Sequence, residues 1–257
     1  LRHCKDYEPL TVDKANVDLR IQQQVEGYFQ ANKPDKVVVC AAKVGGIHAN
    51  NTYPAEFIYD NILIQSNIIN SAYKNGVKRL LFLGSTCIYP KFAPQPMTED
   101  CLLTGALEPT NEAYAIAKIS GIKMCEFYSK QYGLTYHSVM PTNLFGINDN
   151  YHPENSHVIP GLIRKIYEAK QRGDSVYEIW GSGSPKREFL YADDLATICY
   201  KLLQIENPPA LVNVGSDTEM SILDLVHKIC KLVGFEGEIK TGDPKLDGTP
   251  RKKTDCI

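Results

Sequence analysis

The sequence predicts an α/β fold: a parallel sheet with helices on both faces. Two observations predict it. Short apolar runs alternate with helix-period segments along the whole chain, and the residues just after several of those runs are small or polar, as at the carboxyl ends of parallel strands. No internal repeat, low-complexity tract or evident linker interrupts the alternation.

Lys36-Val-Val-Val-Cys40 reads as a buried strand and residues 55–73 as a long helix. Arg79-Leu-Leu-Phe-Leu83 is the next strand. Asn111 can cap a helix over residues 113–132, which Gly133 ends. Residues 135–140 form a third strand, stopped by Pro141. Residues 158–170, 194–204 and 221–233 read as further helices, with short strands near 176–180, 187–191 and 211–214.

With 257 residues the chain suffices for one large domain, or a domain with a smaller lobe. Lys plus Arg (28) nearly balances Asp plus Glu (30), which argues against a nucleic-acid or membrane surface. No apolar run approaches the ~20 residues that cross a bilayer. The eight cysteines include no C-x-x-C pair and no zinc spacing, so no metal site is expected and a reducing cytoplasm fits best. The first residues, Leu1-Arg-His-Cys-Lys-Asp, read neither as a signal peptide nor as a natural start.

The chemistry concentrates at the predicted strand ends, where open α/β sheets bind ligands. These are Ala41-Ala-Lys-Val-Gly-Gly46, Gly84-Ser-Thr-Cys87 and Pro141-Thr-Asn-Leu-Phe-Gly146, although tight turns also favour Gly, Ser and Pro. About 30 residues after Ser85 stands Tyr114-Ala-Ile-Ala-Lys118, the single Tyr-x-x-x-Lys among 15 tyrosines. Positions i and i+4 share a helix face, so phenol and ammonium can enter one site, and the cation is expected to lower the phenol pKa. With Ser85 to hold a substrate oxygen, the set suits reduction of a carbonyl. Tyr-Lys spacing alone is weak evidence, since a surface pair on an amphipathic helix is the commoner source of it.

These segments resemble the extended short-chain dehydrogenase/reductase family, and within it the GDP-L-fucose synthase branch. The matching stretches are Ala41–Gly46, Asn50-Asn-Thr-Tyr-Pro54, Leu83-Gly-Ser-Thr-Cys-Ile-Tyr-Pro90, Leu107-Glu-Pro-Thr-Asn111, Tyr114–Lys118 and Met140-Pro-Thr-Asn143. Asn155-Ser-His-Val-Ile-Pro160, Trp180-Gly-Ser-Gly183, Arg187-Glu-Phe-Leu190, Asp193-Asp194 and Asp247-Gly-Thr-Pro-Arg-Lys252 follow in the family's order.

The resemblance implies a Rossmann-type fold with a small carboxyl-terminal substrate lobe, divided as residues 1–145 and 146–257. It implies NADPH-dependent conversion of GDP-4-keto-6-deoxy-D-mannose to GDP-L-fucose, by inversion at C3 and C5 and reduction at C4. Catalysis would then use Ser85, Cys87 as base, Tyr114, Lys118 and His157 as acid. The nicotinamide side would be lined by Leu83, Gly84, Ser85, Thr86, Lys118, Pro141, Thr142, Asn143, Leu144 and His157. Lys165, Trp180, Arg187, Asp247 and Lys252 would bind the sugar nucleotide. Read alone, Cys87 is more often a packed thiol and His157 more often a helix-terminus residue, Trp180 is equally a core filler, and Lys165, Arg187, Asp247 and Lys252 also read as ordinary surface charges. His48 and His152 match no role. Related dehydratases carry an Asp-Glu pair where Cys87-Ile88 stands, so dehydration is disfavoured. The resemblance also implies a homodimer through the helices at 55–73 and 113–132.

The sequence departs from the pattern in lacking a Gly-x-x-Gly-x-x-Gly turn, whose helix amino end would hold the cofactor pyrophosphate. The expectation is a chain incomplete at both ends, with the residues that select NADPH over NADH lying outside it. Two alternatives stay open: a GDP-sugar epimerase without net reduction, and a non-catalytic nucleotide sensor on a degenerate reductase fold.

Overall fold

The computed structural model of the protein describes residues 6–256. Cys4 and the rest of the amino-terminal segment considered above, apart from Asp6, lie outside the described residues. In chain order the elements are α1 (Gln22–Asn32), β1 (Lys36–Val39), α2 (Ile47–Thr52), α3 (Pro54–Lys74) and β2 (Arg79–Leu83). Next come α4 (Glu112–Tyr132), β3 (Thr135–Pro141), β4 (Asn143–Phe145), α5 (Val158–Arg172), β5 (Val176–Ile179) and β6 (Lys186–Tyr191). The remainder is α6 (Ala192–Leu202), β7 (Leu211–Val214), β8 (Glu219–Ser221), α7 (Ile222–Val233), β9 (Glu238–Thr241) and β10 (Arg251–Lys252).

A parallel sheet in the order β1–β2–β3–β7 forms the larger body. Its side chains alternate between two cores, as a sheet covered on both faces requires. Leu80 and Phe82 of β2 pack with Ile69 and Ala72 of α3 and Ile119, Ile122 and Cys125 of α4. Leu81 faces the other way, with Leu195, Cys199 and Leu202 of α6. Gly121 lets α4 approach the sheet closely: a Cβ there would lie 2.5 Å from the Phe82 ring. Gln65 of α3 donates to the Ala117 carbonyl (2.6 Å) and to Ser120 (2.7 Å), fixing α3 against α4.

Beyond this body, β10–β6–β4 run parallel and β8 joins β6 antiparallel, while β5 pairs with β9. A third core, including Ile166, Ile179, Phe189, Val226 and Ile229, unites α5, α7 and these strands. The segment Ala192–Val214 carries α6 and β7 back to the larger sheet.

Several sequence expectations shift. Pro141 does not stop β3 ahead of itself; it is the strand's last residue, opposite Val214, because only its missing N–H is lost to pairing. The helix expected at 194–204 starts at Ala192, and the strand expected at 176–180 ends at Ile179, where Gly181 turns with φ +82°. Helix α1 was missed because only Val25 and Phe29 among its eleven residues are buried. Among the described residues no helix is long and apolar enough to cross a membrane.

His137 on β3 is 1% exposed, and burial, with a smaller contribution from the Arg79 charge, lowers its pKa to about 4. An unfolded histidine titrates near 6.5, so between these values the unfolded chain binds the extra proton. Stability from this group is therefore complete above about pH 6.5 and falls as the pH drops towards 4, by on the order of 3 kcal/mol in all. Urea unfolding at pH 7.5 and 5 should show this loss, and His137→Leu should flatten it; an equal slope in the variant would remove His137 as its source.

Candidate active site

The site lies at the carboxyl ends of β1, β2 and β3. After β1, Asn61 of α3 holds the turn: its Oδ1 accepts from Lys43 N (2.9 Å) and its Nδ2 donates to the Lys43 carbonyl (3.0 Å). Asn50 of α2 donates to the carbonyls of Gly45 (2.8 Å) and Gly46 (3.0 Å). Gly46 is needed for close approach, since a Cβ there would lie 2.8 Å from the Ser156 carbonyl. This contact brings the loop that ends at His157 against the β1 turn.

After β2, Gly84 sits where a Cβ would meet Met140 Sδ at 2.4 Å, so the strand end stays flush with β3. Ser85 is extended and caps the 3-10 turn Thr86–Ile88, its Oγ accepting from Cys87 N at 3.3 Å. This turn aims the Cys87 thiol towards the start of α4. There Asn111 Nδ2 donates to Cys87 Sγ at 3.4 Å, while Asn111 Oδ1 is buried without a partner. Asn111 was expected to cap α4, but its side chain makes no capping bond and is turned to the sulfur instead. Sequence spacing gave no signal for this pairing across 24 residues.

Tyr114 and Lys118 stand one turn apart on α4. Lys118 is 3% exposed and donates to the Leu83 carbonyl at 2.8 Å, with its ammonium 4.8 Å from the Phe82 ring centroid and 5.8 Å from that of Tyr114. Burial lowers its pKa to about 8. The phenol does not follow the expected direction: burial, then the nearby Cys87 sulfur, raise the Tyr114 pKa, and a hydrogen bond with Ser85 pulls only partly back. Enclosure sets the direction, and the Lys118 ammonium is not among the influences on the phenol. Tyr114 is therefore a protonated phenol at neutral pH. Phe57 of α3 packs edge-on against it, with ring centroids 6.3 Å apart.

The ammonium has three donors and Leu83 takes one. A buried cation with spare donors beside Leu83, at the end of β2 next to the end of β3, could meet the hydroxyls of a ribose. Within Pro141–Leu144, Thr142 is buried with an unpartnered Oγ1, and Asn143 Nδ2 is committed to the Glu188 carbonyl at 2.9 Å.

His157 precedes α5 as an exposed N-cap residue without a capping bond. The protein around it still lowers its pKa, with Asp149 pulling the other way. Arg187 on β6 is half-buried; burial lowers its pKa, against the opposing influence of Cys87 and Asp247. Its Nη2 would lie 3.6 Å from a Cβ on Gly248. Asp247 is engaged already: Oδ1 accepts from Ser182 N at 2.9 Å and Oδ2 from Ser182 Oγ at 2.5 Å, fastening the turn that follows Trp180. Trp180 is 63% exposed, so it is no core filler. Lys252 is half-buried and acts electrostatically on Glu108, whereas Lys165 is exposed on α5. His48 and His152 are exposed, and His152 Nδ1 accepts from the backbone of Glu154 and Asn155 at 3.2 Å. The structure thus brings Ser85, Cys87, Tyr114 and Lys118 together at the end of β2, with Arg187 near enough for Cys87 and Asp247 to act on its charge; no contact joins His157, Lys165 or Trp180 to this group among the described residues, and Asn111, Asn50 and Asn61 are supports whose bonds sequence reasoning missed.

Known proteins resemble the chain as a whole. The model of the NAD dependent epimerase/dehydratase family matches residues 4–215. GDP-L-fucose synthase 1 of Arabidopsis thaliana is 57% identical over 241 residues, covering 94% of this chain and 75% of that protein. GDP-L-fucose synthase of Escherichia coli K12 is 49% identical over 259 residues, covering 97% of this chain and 81% of that protein. Among solved structures, a GDP-L-fucose synthetase from Naegleria fowleri bound to NADP superposes with a TM-score of 0.87 at 31% identity, covering 95% of this chain and 75% of that one.

Proposed function

The chain belongs to the NAD dependent epimerase/dehydratase family, and we propose that it converts GDP-4-keto-6-deoxy-D-mannose to GDP-L-fucose with NADPH. The observation that carries this reading is the joining of two chemistries at one strand end. Ser85, Tyr114 and Lys118 suit carbonyl reduction, and two residues from Ser85 the Cys87 thiol is held by Asn111. NADPH, when bound beside Lys118, supplies the hydride for C4.

The chain's own residues do the rest. A 4-keto group acidifies the protons on C3 and C5, and Cys87 removes them in turn as a thiolate. Donation from Asn111 Nδ2 stabilises negative charge on the sulfur. His157 returns a proton to the opposite ring face. Its depressed pKa makes the imidazolium a stronger acid, though the minor form at neutral pH. Ser85 and Tyr114 hold the C4 oxygen, first as the enolate and then as the alkoxide, which takes the phenolic proton. A raised phenol pKa suits that role, because Tyr114 keeps its proton until an alkoxide forms. Lys118 stabilises this charge from beneath and, with Leu83–Thr86, Pro141–Leu144 and His157, lines the cofactor side. Arg187 is the diphosphate contact, with Lys165 and Lys252 adding positive charge, and exposed Trp180 offers a face on which guanine stacks. Asp247 fixes the Trp180 turn.

A homodimer fits the outer faces of α3 and α4. Ile116 (42% exposed) and Phe127 (56%) lie on one stripe of α4, and Tyr59 (64%) is exposed on α3. The test of the activity is NADPH oxidation by the complete gene product given the keto sugar nucleotide. One equivalent oxidised per GDP-L-fucose formed is the expected result. Sugar conversion without NADPH consumption would instead point to an epimerase.

A further inference from the structure

Glu108 and the buried Glu188 have no place in the chemistry above, yet both reach the same segment. Residues 249–254 form a strap carrying β10, in which Arg251 and Lys252 pair in parallel with Lys186 and Arg187. The strap is buried at both ends: Thr249 is 6% exposed and Thr254 1%. Thr254 donates from N (3.2 Å) and Oγ1 (2.8 Å) to Glu188 Oε2, while Glu188 Oε1 accepts from Asp217 N at 2.7 Å. Glu188 is wholly buried, and Gly215 must lack a side chain, since a Cβ would lie 2.3 Å from Oε1. At the other end Thr249 Oγ1 reaches Glu108 Oε2 at 3.5 Å, and Glu108 pairs with Lys91 at 3.0 Å. Between them, Lys253 N donates to Gln95 Oε1 (2.8 Å), and Met97 N donates to the Lys253 carbonyl (2.8 Å).

We propose that Glu108 and Glu188 are positioning residues, two buried carboxylates that clamp the strap 249–254 and so hold Lys252 beside Arg187 in the sugar-nucleotide cleft. Burying a carboxylate is unfavourable unless its oxygens are hydrogen-bonded, and an apolar pair would pack as well. What the carboxylates provide is register: each fixes one threonine, and the two threonines fix the residues between them. Glu108 also lies three residues before Asn111, so the clamp ties the nucleotide side of the cleft to the segment that holds Cys87. The proposal rests on Lys252 and Arg187 being nucleotide contacts.

The experiment uses the complete enzyme with Glu188→Gln, Thr254→Val, both together, and Glu108→Gln. GDP affinity by calorimetry, NADPH affinity, steady-state KM and kcat, and amide exchange of 249–255 are measured on each. Glutamine would place an amide N–H or a weaker acceptor against two donors, and loss of such bonds corresponds to about tenfold in binding. Expected are GDP Kd and KM raised about tenfold, NADPH Kd and kcat within about twofold, faster exchange along the strap, and a double variant no worse than the poorer single one. Unchanged GDP affinity, with or without faster strap exchange, overturns the clamp. If Glu188→Gln fails to fold, Thr254→Val decides, since it removes only one hydroxyl. The GDP measurement needs no turnover, so an inactive wild type would sink the activity while the clamp is still tested.

Discussion

Tyr114→Phe is expected to slow reduction at C4 by about 10²–10⁴-fold, the span of a single positioned proton donor. The phenol's pKa is raised by burial, so in the native enzyme it stays protonated until charge develops on the C4 oxygen. Phenylalanine keeps the edge-on contact with Phe57 and the ring face towards Lys118, so fold and cofactor affinity should survive. Single-turnover NADPH oxidation with a preformed epimerised substrate checks this, since it isolates reduction from inversion. A rate within about threefold of wild type would remove Tyr114 as the acid.

Cys87→Ser should lower solvent exchange at C3 and C5 by at least about a hundredfold, while NADPH affinity stays unchanged. A hydroxyl occupies nearly the same place but loses its proton far less readily than a thiol. Asn111 would then donate to a neutral hydroxyl, and its stabilisation of the anion would be lost. Exchange at the wild-type rate in the serine variant would show that another group is the base.

Much of this was legible in the residues. The strand Arg79–Leu83 emerged with its observed bounds, because five apolar or long-stemmed residues between turn signals leave little choice. Ser85, Tyr114 and Lys118 stood out as candidates because strand-end position and helix spacing are local properties, whereas Cys87 entered through the family resemblance. The expected helix at 113–132 differs from α4 by one residue. The supports were not legible. Asn111 reads as a helix cap in sequence, and only the fold shows that the Cys87 sulfur competes for its amide. Asp247 reads as a ligand contact, yet its carboxylate already fastens Ser182, 65 residues away. Glu188 follows Lys186 and Arg187 in β6, where sequence reads it as one more surface charge; its partners, Asp217 and Thr254, lie 29 and 66 residues on. The direction of the Tyr114 pKa failed for a similar reason. Spacing shows the ammonium but not the depth at which both groups lie. Strands β8, β9 and β10 are two to four residues long, too short for a periodicity to register.

The most direct test of one cleft performing both inversion and reduction is the reaction in deuterium oxide with NADPH, read by mass and NMR analysis of the sugar. Solvent deuterium at C3 and C5, protium at C4 and one NADPH consumed per product are the expected result. Product reduced at C4 without deuterium at either neighbouring carbon would contradict it, leaving a reductase whose Cys87 and His157 have no part in proton transfer.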